Sequence, residues 1–173
     1  MTPVVRALDA EAYRAAIPEL AALIVDAVAG GAGVNFLDGV TVSQAAGWWE
    51  ERIGQVEAGV ITPFVALDGE RIVGSVLLIR SRNPNSPHRA EIGKVIVSRS
   101  ARRQGLGAAL MAAAEARAVT DGRWLLILDT VTDSAADAFY RALDWQVVGV
   151  VPNHALLPDG TPSATTFFYK DLR

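Results

Sequence analysis

The sequence predicts an α/β fold of about seven strands and about four helices, and three observations carry that expectation. Apolar residues recur at helical spacing in the first third of the chain, at Leu20, Leu23, Ile24 and Val28 and again at Trp49, Ile53 and Val56. Beyond Gly59, short apolar and β-branched runs bounded by turn residues take over. Between Val95 and Leu110, one such run passes through a cationic, glycine-punctuated turn straight into an Ala/Leu-rich helix.

Taken in order, residues 4–8 read as a short first strand, and Asp9 can cap a helix to about residue 29, its carboxylate accepting from the free N–H groups there. Gly30-Gly31-Ala32-Gly33 stops that helix and opens a connection carrying Asn35, Phe36, Leu37 and Asp38. Thr41 or Ser43 starts a second helix, to about residue 58, which Gly59 ends. Residues 61–67 and 71–79 are strands joined at the Asp68-Gly69-Glu70 turn. The Asn83-Pro84-Asn85-Ser86-Pro87 cluster is a turn before a strand over 89–97. A helix over about 106–119 follows the glycine turn, and the continuous apolar run 125–128 is a buried strand. Asp133 or Ser134 caps a short helix to residue 143; then 145–151 is extended, 152–162 is a loop and 164–170 is a last strand.

The chain's 173 residues suit one domain, and 51% apolar residues suffice for a real core. Mean hydropathy is +0.26, and no apolar run approaches the roughly 18 residues that would span a bilayer. The opening Met1-Thr2-Pro3-Val4-Val5-Arg6 lacks a basic segment followed by an apolar one, so no signal peptide is expected. With no cysteine there are no disulfides, thiolate ligands or cysteine nucleophile. Together these features favour a cytoplasmic protein that does not bind membranes. Net charge is −3, and nucleic-acid binding would need a basic stripe that is absent. Arg99, Arg102 and Arg103 alone cluster, beside the glycines, which favours a small anionic ligand.

The turn itself names the kind of anion. A helix start leaves N–H groups without intrahelical partners and carries partial positive charge. Glycines let a phosphate approach that backbone, and Arg102 and Arg103 add formal charge. No Gly-Lys-Ser/Thr follows, as a Mg²⁺-nucleotide loop requires. The third glycine of a dinucleotide fingerprint is missing too, since Gly105-Leu106-Gly107 continues into Ala108-Ala109-Leu110.

Arg102-x-x-Gly105-x-Gly107 after a Val-x-Val strand resembles the acetyl-coenzyme A loop of the GNAT superfamily of N-acetyltransferases. The element order resembles the GNAT fold as well, which implies a mixed, mostly antiparallel twisted sheet. The resemblance extends over Gly30-Gly31-Ala32, Arg89-Ala90-Glu91, Leu128-Asp129-Thr130, Ala138-Phe139-Tyr140-Arg141-Ala142-Leu143 and Pro158-Asp159-Gly160. There are two departures: Arg99 stands where many members have proline, and Asp144-Trp145 replaces the usual Gly-Phe. The resemblance implies that Arg102, Arg103, Gln104, Gly105, Leu106, Gly107 and Ala108 hold the coenzyme phosphates. It implies also that the backbone of Val95, Ile96 and Val97 pairs with the pantetheine arm, with Ser134 near it, although Ser134 is equally read as a helix cap. Dimers are common in the family, so a homodimer is among the expected assemblies.

Moving an acetyl group from a thioester to an amine needs a deprotonated amine, stabilisation of developing charge and an acid for the departing sulfur. Tyr140 matches the family's acid, and its reference pKa of about 10 keeps the proton in place at neutral pH. The plainer alternative is a packed ring. Glu91 and Asp129 are the candidate bases or amine anchors; Glu91 could instead pair with Arg89 or Lys94, and Asp129 could cap a strand end or anchor a cation. By strand alternation Glu91 and Val95 would share a face. Asn35, Phe36 and Asp38 are expected to line the acceptor pocket, with Asn153 and His154 closing it from the other side. Trp48 and Trp49 read as core or pocket wall. His88 and His154 have no metal spacing and read as surface residues.

The activity thus expected is direct, metal-free acetyl transfer from acetyl-coenzyme A to a small-molecule amine, an amino-acid-like toxin or antibiotic being favoured. Polyamines, aminoglycosides and protein N-termini are the alternative acceptors, and a non-catalytic coenzyme A sensor is the alternative class.

Overall fold

The computed structural model describes residues 4–173. Met1, Thr2 and Pro3, which open the stretch read for a leader, lie outside them. Seven strands form one sheet: β1 (Val4–Ala7), β2 (Ile61–Asp68), β3 (Arg71–Arg80), β4 (Arg89–Val97), β5 (Leu125–Val131), β6 (Gln146–Leu156) and β7 (Pro162–Asp171). Their order is β1-β2-β3-β4-β5-β7-β6, and only β4 and β5 run parallel. The mixed, mostly antiparallel α/β architecture is the expected one.

Helices α1 (Ala10–Ala29), α2 (Val42–Glu50) and α3 (Ile53–Glu57) precede β2, while α4 (Leu106–Thr120) and α5 (Ala135–Ala142) follow β4 and β5. Asp9 caps α1 by accepting from the Ala12 N–H at 2.8 Å. Thr41, not Ser43, caps α2, in a reciprocal box with Gln44. Ser134, not Asp133, caps α5. The two sides of the sheet bury separate cores. Leu110, Met111, Tyr140 and Phe168 lie in the one under α4 and α5, and Tyr13, Leu20, Ile24, Trp49 and Leu77 lie in the one under α1 and α2.

Two expectations need correction. The second helix, expected unbroken over 41–58, is two helices. Around Arg52 the backbone leaves α-helical geometry, its N–H donating to Trp49 O three residues back, and the guanidinium turns back onto Trp48. The loop expected over 152–162 is mostly strand. β6 runs on to Leu156 through a bulge opposite β7, leaving only residues 157–161 as the connection. Asn153 takes the bulge's positive φ of 52°, which asparagine tolerates.

Candidate active site

The site begins with one extra residue in β4. Ser75 of β3 lies opposite Ile96 and Leu77 lies opposite Gly93, so two steps on β3 match three on β4. The bulge centres on Lys94, at φ 48°, whose carbonyl accepts the Ser75 hydroxyl at 3.0 Å. A bulge reverses the alternation of faces. Accordingly Ala90 and Ile92 enter the core under α4, whereas beyond the bulge Ile96 enters the core under α1. The expected shared face of Glu91 and Val95 is therefore overturned: Val95 packs on the α4 side and Glu91 faces the α1–α2 side. The bulge also ends the lateral pairing. β4 meets β5 only from Arg89–Leu125 to Glu91–Ile127, and beyond that level the two strands stand apart. Ile96 thus buries its side chain, Val95 and Val97 bury theirs in part, and on the β5 side the backbone of all three has no strand partner.

β4 leads into a tied-down turn. The Ser98 N–H donates to Val73 O at 2.8 Å, and Arg99 donates to Asp26 of α1 from its backbone N–H at 2.9 Å and from Nε at 2.8 Å. Arg102 Nε donates to Val97 O at 3.3 Å. Gly105 then caps α4 at φ 78° with no side-chain hydrogen bond, and the first intrahelical bond is from Ala109 N–H to Gly105 O. The N–H groups of Leu106, Gly107 and Ala108 are therefore left over by helix geometry. Arg102, Arg103 and Gln104 are exposed beside them, while the Leu106 side chain is in the core. The two glycines differ. A Cβ on Gly105 would meet nothing but the cost of positive φ, whereas one on Gly107 would stand 3.1 Å from the Phe139 ring.

Tyr140 sits on α5 with its ring against Phe139, Trp145 and Phe168. Burial, and then the charge of Asp129, push its phenol above the ordinary range, so it keeps its proton. Ser134 is a cap: its hydroxyl donates to Val131 O at 2.6 Å and accepts from Asp137 N–H at 3.1 Å. Both capacities are used within the protein.

On the α1–α2 face lies a pocket of about 330 Å³. Glu91, Asp129 and Asn35 line it, joined by Trp48, Arg52, Gln55 and Lys94, with Ile61, Leu77 and Ile79 among its apolar walls. Although Glu91 keeps contact with solvent, lost hydration and the neighbouring Asp129 raise its carboxyl, against the pull of Arg89 and Lys94. Among the described residues neither Glu91 nor Asp129 forms a salt bridge, so the expected alternative pairing with Arg89 or Lys94 is not made. Phe36 packs into the core under α1, Asp38 is exposed with its N–H on Pro158 O, and Asn153 is exposed on β6. None of the three lines the pocket. Trp49 is core and Trp48 is pocket wall. His154 stands edge-on to Phe167 and His88 stacks on Trp124.

Sequence reasoning left Lys94 as no more than an ion-pair partner, and Arg52 out altogether. Gly93-Lys94 inside an apolar strand was the available signal for the bulge, since glycine within a strand often marks one. Among the described residues no group of three or more metal-ligating side chains gathers, and no helix is long and apolar enough to cross a membrane.

Comparison with known proteins places these features. A model of the acetyltransferase (GNAT) family matches residues 36–145, the span holding the bulged strand, the glycine turn and Tyr140. An N-acetyltransferase from Staphylococcus aureus Mu50 superposes with a TM-score of 0.80 at 17% identity, covering 100% of both chains. A ribosomal-protein-alanine N-acetyltransferase from Brucella melitensis gives 0.78 at 22%, covering 98% of this chain and 99% of its own. A phosphinothricin acetyltransferase from Sinorhizobium meliloti, in complex with acetyl-coenzyme A, gives 0.77 at 21%, covering 99% and 89%. At these identities the structures speak to the fold, while the family match spans well over half the sequence. The chain belongs to the GNAT family of acetyltransferases and is an acyl-coenzyme A-dependent N-acetyltransferase.

Proposed function

We propose that this chain transfers the acetyl group of acetyl-coenzyme A directly to the amine of a small amino-acid-like molecule, a toxin or antibiotic being the favoured kind, and that it acts as one domain. One observation carries the reading: pairing of β4 with β5 stops at Glu91–Ile127, where Glu91 and Asp129 line a pocket, and β4 runs on into the turn at which Gly105 starts α4 without a side-chain cap. The residues fit the coenzyme. Gly105 needs no Cβ at its φ of 78°, and the N–H groups it leaves exposed suit phosphate oxygens.

Acetyl-coenzyme A supplies an activated acetyl thioester, and the protein supplies the rest. Arg102, Arg103, Gln104 and the N–H groups of Leu106, Gly107 and Ala108 would hold the phosphates. The free edge of Val95, Ile96 and Val97 would hold the arm. Glu91, whose carboxyl is raised toward the pH at which an amine gives up its proton, is the favoured base, with Asp129 orienting the ammonium. Tyr140 keeps a proton for the leaving sulfur. No cysteine is present to take the acetyl group first. The amino-acid-like acceptor draws support from the sequence resemblance to tabtoxin resistance protein over Arg89-Ala90-Glu91, Leu128-Asp129-Thr130 and Pro158-Asp159-Gly160.

The test is incubation of acetyl-coenzyme A with amino acids, amino-acid antibiotics, polyamines, aminoglycosides and N-terminal peptides, read by thiol release and by product mass. Acetylation concentrated among amino-acid-like amines is the expected result. Preferred acetylation of polyamines or peptides would replace the acceptor class, and coenzyme binding without thiol release for any amine would reduce the protein to a sensor.

A further inference from the structure

The pocket carries charge of both signs. Glu91 and Asp129 supply its negative charge, and Arg52 and Lys94, which meet around Trp48, supply its positive charge. The Arg52 guanidinium carbon lies 3.3 Å from the Trp48 ring centroid and Lys94 Nζ lies 4.2 Å from it. Arg52 is fixed there by donating to Trp48 O, with Glu51 3.6 Å away on its outer side. Lys94, carried inward by the bulge, donates to the neutral Oδ1 of Asn35 and has no carboxylate within salt-bridge distance among the described residues.

The Lys94 ammonium is drawn out of water with a neutral oxygen as its hydrogen-bond partner, and a charge so placed is costly unless a counter-charge reaches it. A cationic ligand would satisfy Glu91 and Asp129 but leave Lys94 and Arg52 facing a like charge. A neutral amine would leave Lys94 without a counter-charge and Arg52 with Glu51 alone. We propose that Lys94 and Arg52 form a subsite for an anionic group on the acceptor, so that this pocket selects a zwitterion: an amino acid whose free carboxylate sits on the Lys94–Arg52–Trp48 side while its amine faces Glu91 and Asp129. The proposal rests on the acetyl-transfer reading for the amine's position and on the pocket alone for the anion.

Lys94 also gives the subsite a pH dependence. Burial, and then Arg52, lower its ammonium to about 8, against Asp129 and Glu91. These are the charged groups that face it, from the α2–α3 turn, β5 and β4, with Asn35 from the α1–α2 connection. The subsite is cationic below that pH and weakens as pH rises through it.

The experiment titrates the coenzyme-free protein with each common amino acid and with its carboxamide, followed by calorimetry. It is run below about pH 7, where α-amines remain largely protonated. At least one free acid should bind about 10–100-fold more tightly than its amide, the span of a charge-assisted bond. That preference should collapse toward unity in Lys94→Gln, or in Lys94→Asn, which suits positive φ, should the first variant not fold. Absence of any acid-over-amide preference in the wild type overturns the subsite, as does a preference that survives both substitutions. A parallel mass-shift assay separates the two readings. Amides acetylated as well as acids would overturn the subsite and leave the transfer activity standing. Intact acid preference with no amine acetylated would do the reverse.

Discussion

The glycine turn and the pocket of Glu91 and Asp129 are built in opposite ways. The turn is contiguous from Arg99 to Ala108, and its working groups are largely backbone N–H donors fixed by helix geometry and one positive-φ glycine. The pocket draws Asn35 from a connection, Trp48 and Arg52 from α2 and its end, Glu91 and Lys94 from β4, and Asp129 from β5. Its working groups are side chains. Side-chain substitution can disable the pocket one group at a time, but in the turn it acts mainly through backbone conformation. The first substitutions to try therefore differ in kind between the two regions.

The largest effect is expected at Tyr140. Tyr140→Phe keeps the ring against Phe139, Trp145 and Phe168 and removes one hydroxyl. A lost general acid should lower kcat by about 10²–10⁴-fold, with coenzyme affinity and thermal stability near wild type. Steady-state kinetics beside calorimetric binding decides it. Equal losses in binding and turnover would make Tyr140 a positioning residue, and full activity would make it packing.

The two carboxylates come next, and pH separates them. If Glu91 is the base, kcat/KM falls as pH drops through its raised value, on a limb lying above the ordinary glutamate value of about 4.3. Glu91→Gln should remove that limb and lower neutral-pH turnover by about 100-fold. Asp129→Asn should keep the limb and move it to lower pH, because the Asp129 charge helps to raise Glu91. A pH–rate profile with these outcomes exchanged would make Asp129 the base.

The same contrast explains what could be read from the amino-acid order. The turn was legible because strand, cations, glycines and helix are consecutive, so local rules suffice. Glu91 and Asp129 were legible as carboxylates in apolar strands, and the structure brings both to the lining of one pocket. Lys94 was not, because its direction depends on a one-residue bulge that reverses the faces of β4. Arg52 was hidden inside a helical pattern that in fact breaks beside it. Phe36, Asp38 and Asn153 stand outside this pocket for a related reason. Loop position says that a residue is near the surface, whereas the contacts of Phe36 with the core and of Asp38 with Pro158 are set by distant segments.

A smaller effect distinguishes the glycines. Gly105→Ala forces a Cβ into left-handed backbone, at roughly 1–2 kcal/mol, and presents it where the turn is open. Coenzyme affinity should fall with stability. Gly107→Ala keeps its φ but pushes on Phe139, so thermal stability should drop with a lesser change in coenzyme affinity. Should Gly107→Ala weaken coenzyme binding as strongly as Gly105→Ala, phosphate approach governs both positions.

The smallest expected effect tests whether the turn is as self-sufficient as its sequence suggests. Arg99 occupies the position where proline is common in the family, and it holds the turn to α1 through Asp26. Burial alone would raise the Asp26 carboxyl, but the Arg99 hydrogen bonds outweigh it and hold the group below its usual value. Its contribution to stability is therefore present above the unfolded value of about 3.9 and is lost as pH falls through the lower folded one. At neutral pH it is fully formed. The Arg99 and Asp26 side chains are 51% and 28% exposed, so solvent screening keeps the pair below about 1 kcal/mol. Asp26→Asn should then weaken coenzyme binding by about two- to fivefold with little change in turnover, and Arg99→Ala, which keeps its backbone N–H bond to Asp26, should cost no more. The double variant should be no worse than Asp26→Asn, because both act on the same contact. Additive losses in that cycle would mean that Arg99 meets the coenzyme itself, and the turn would then owe nothing to α1.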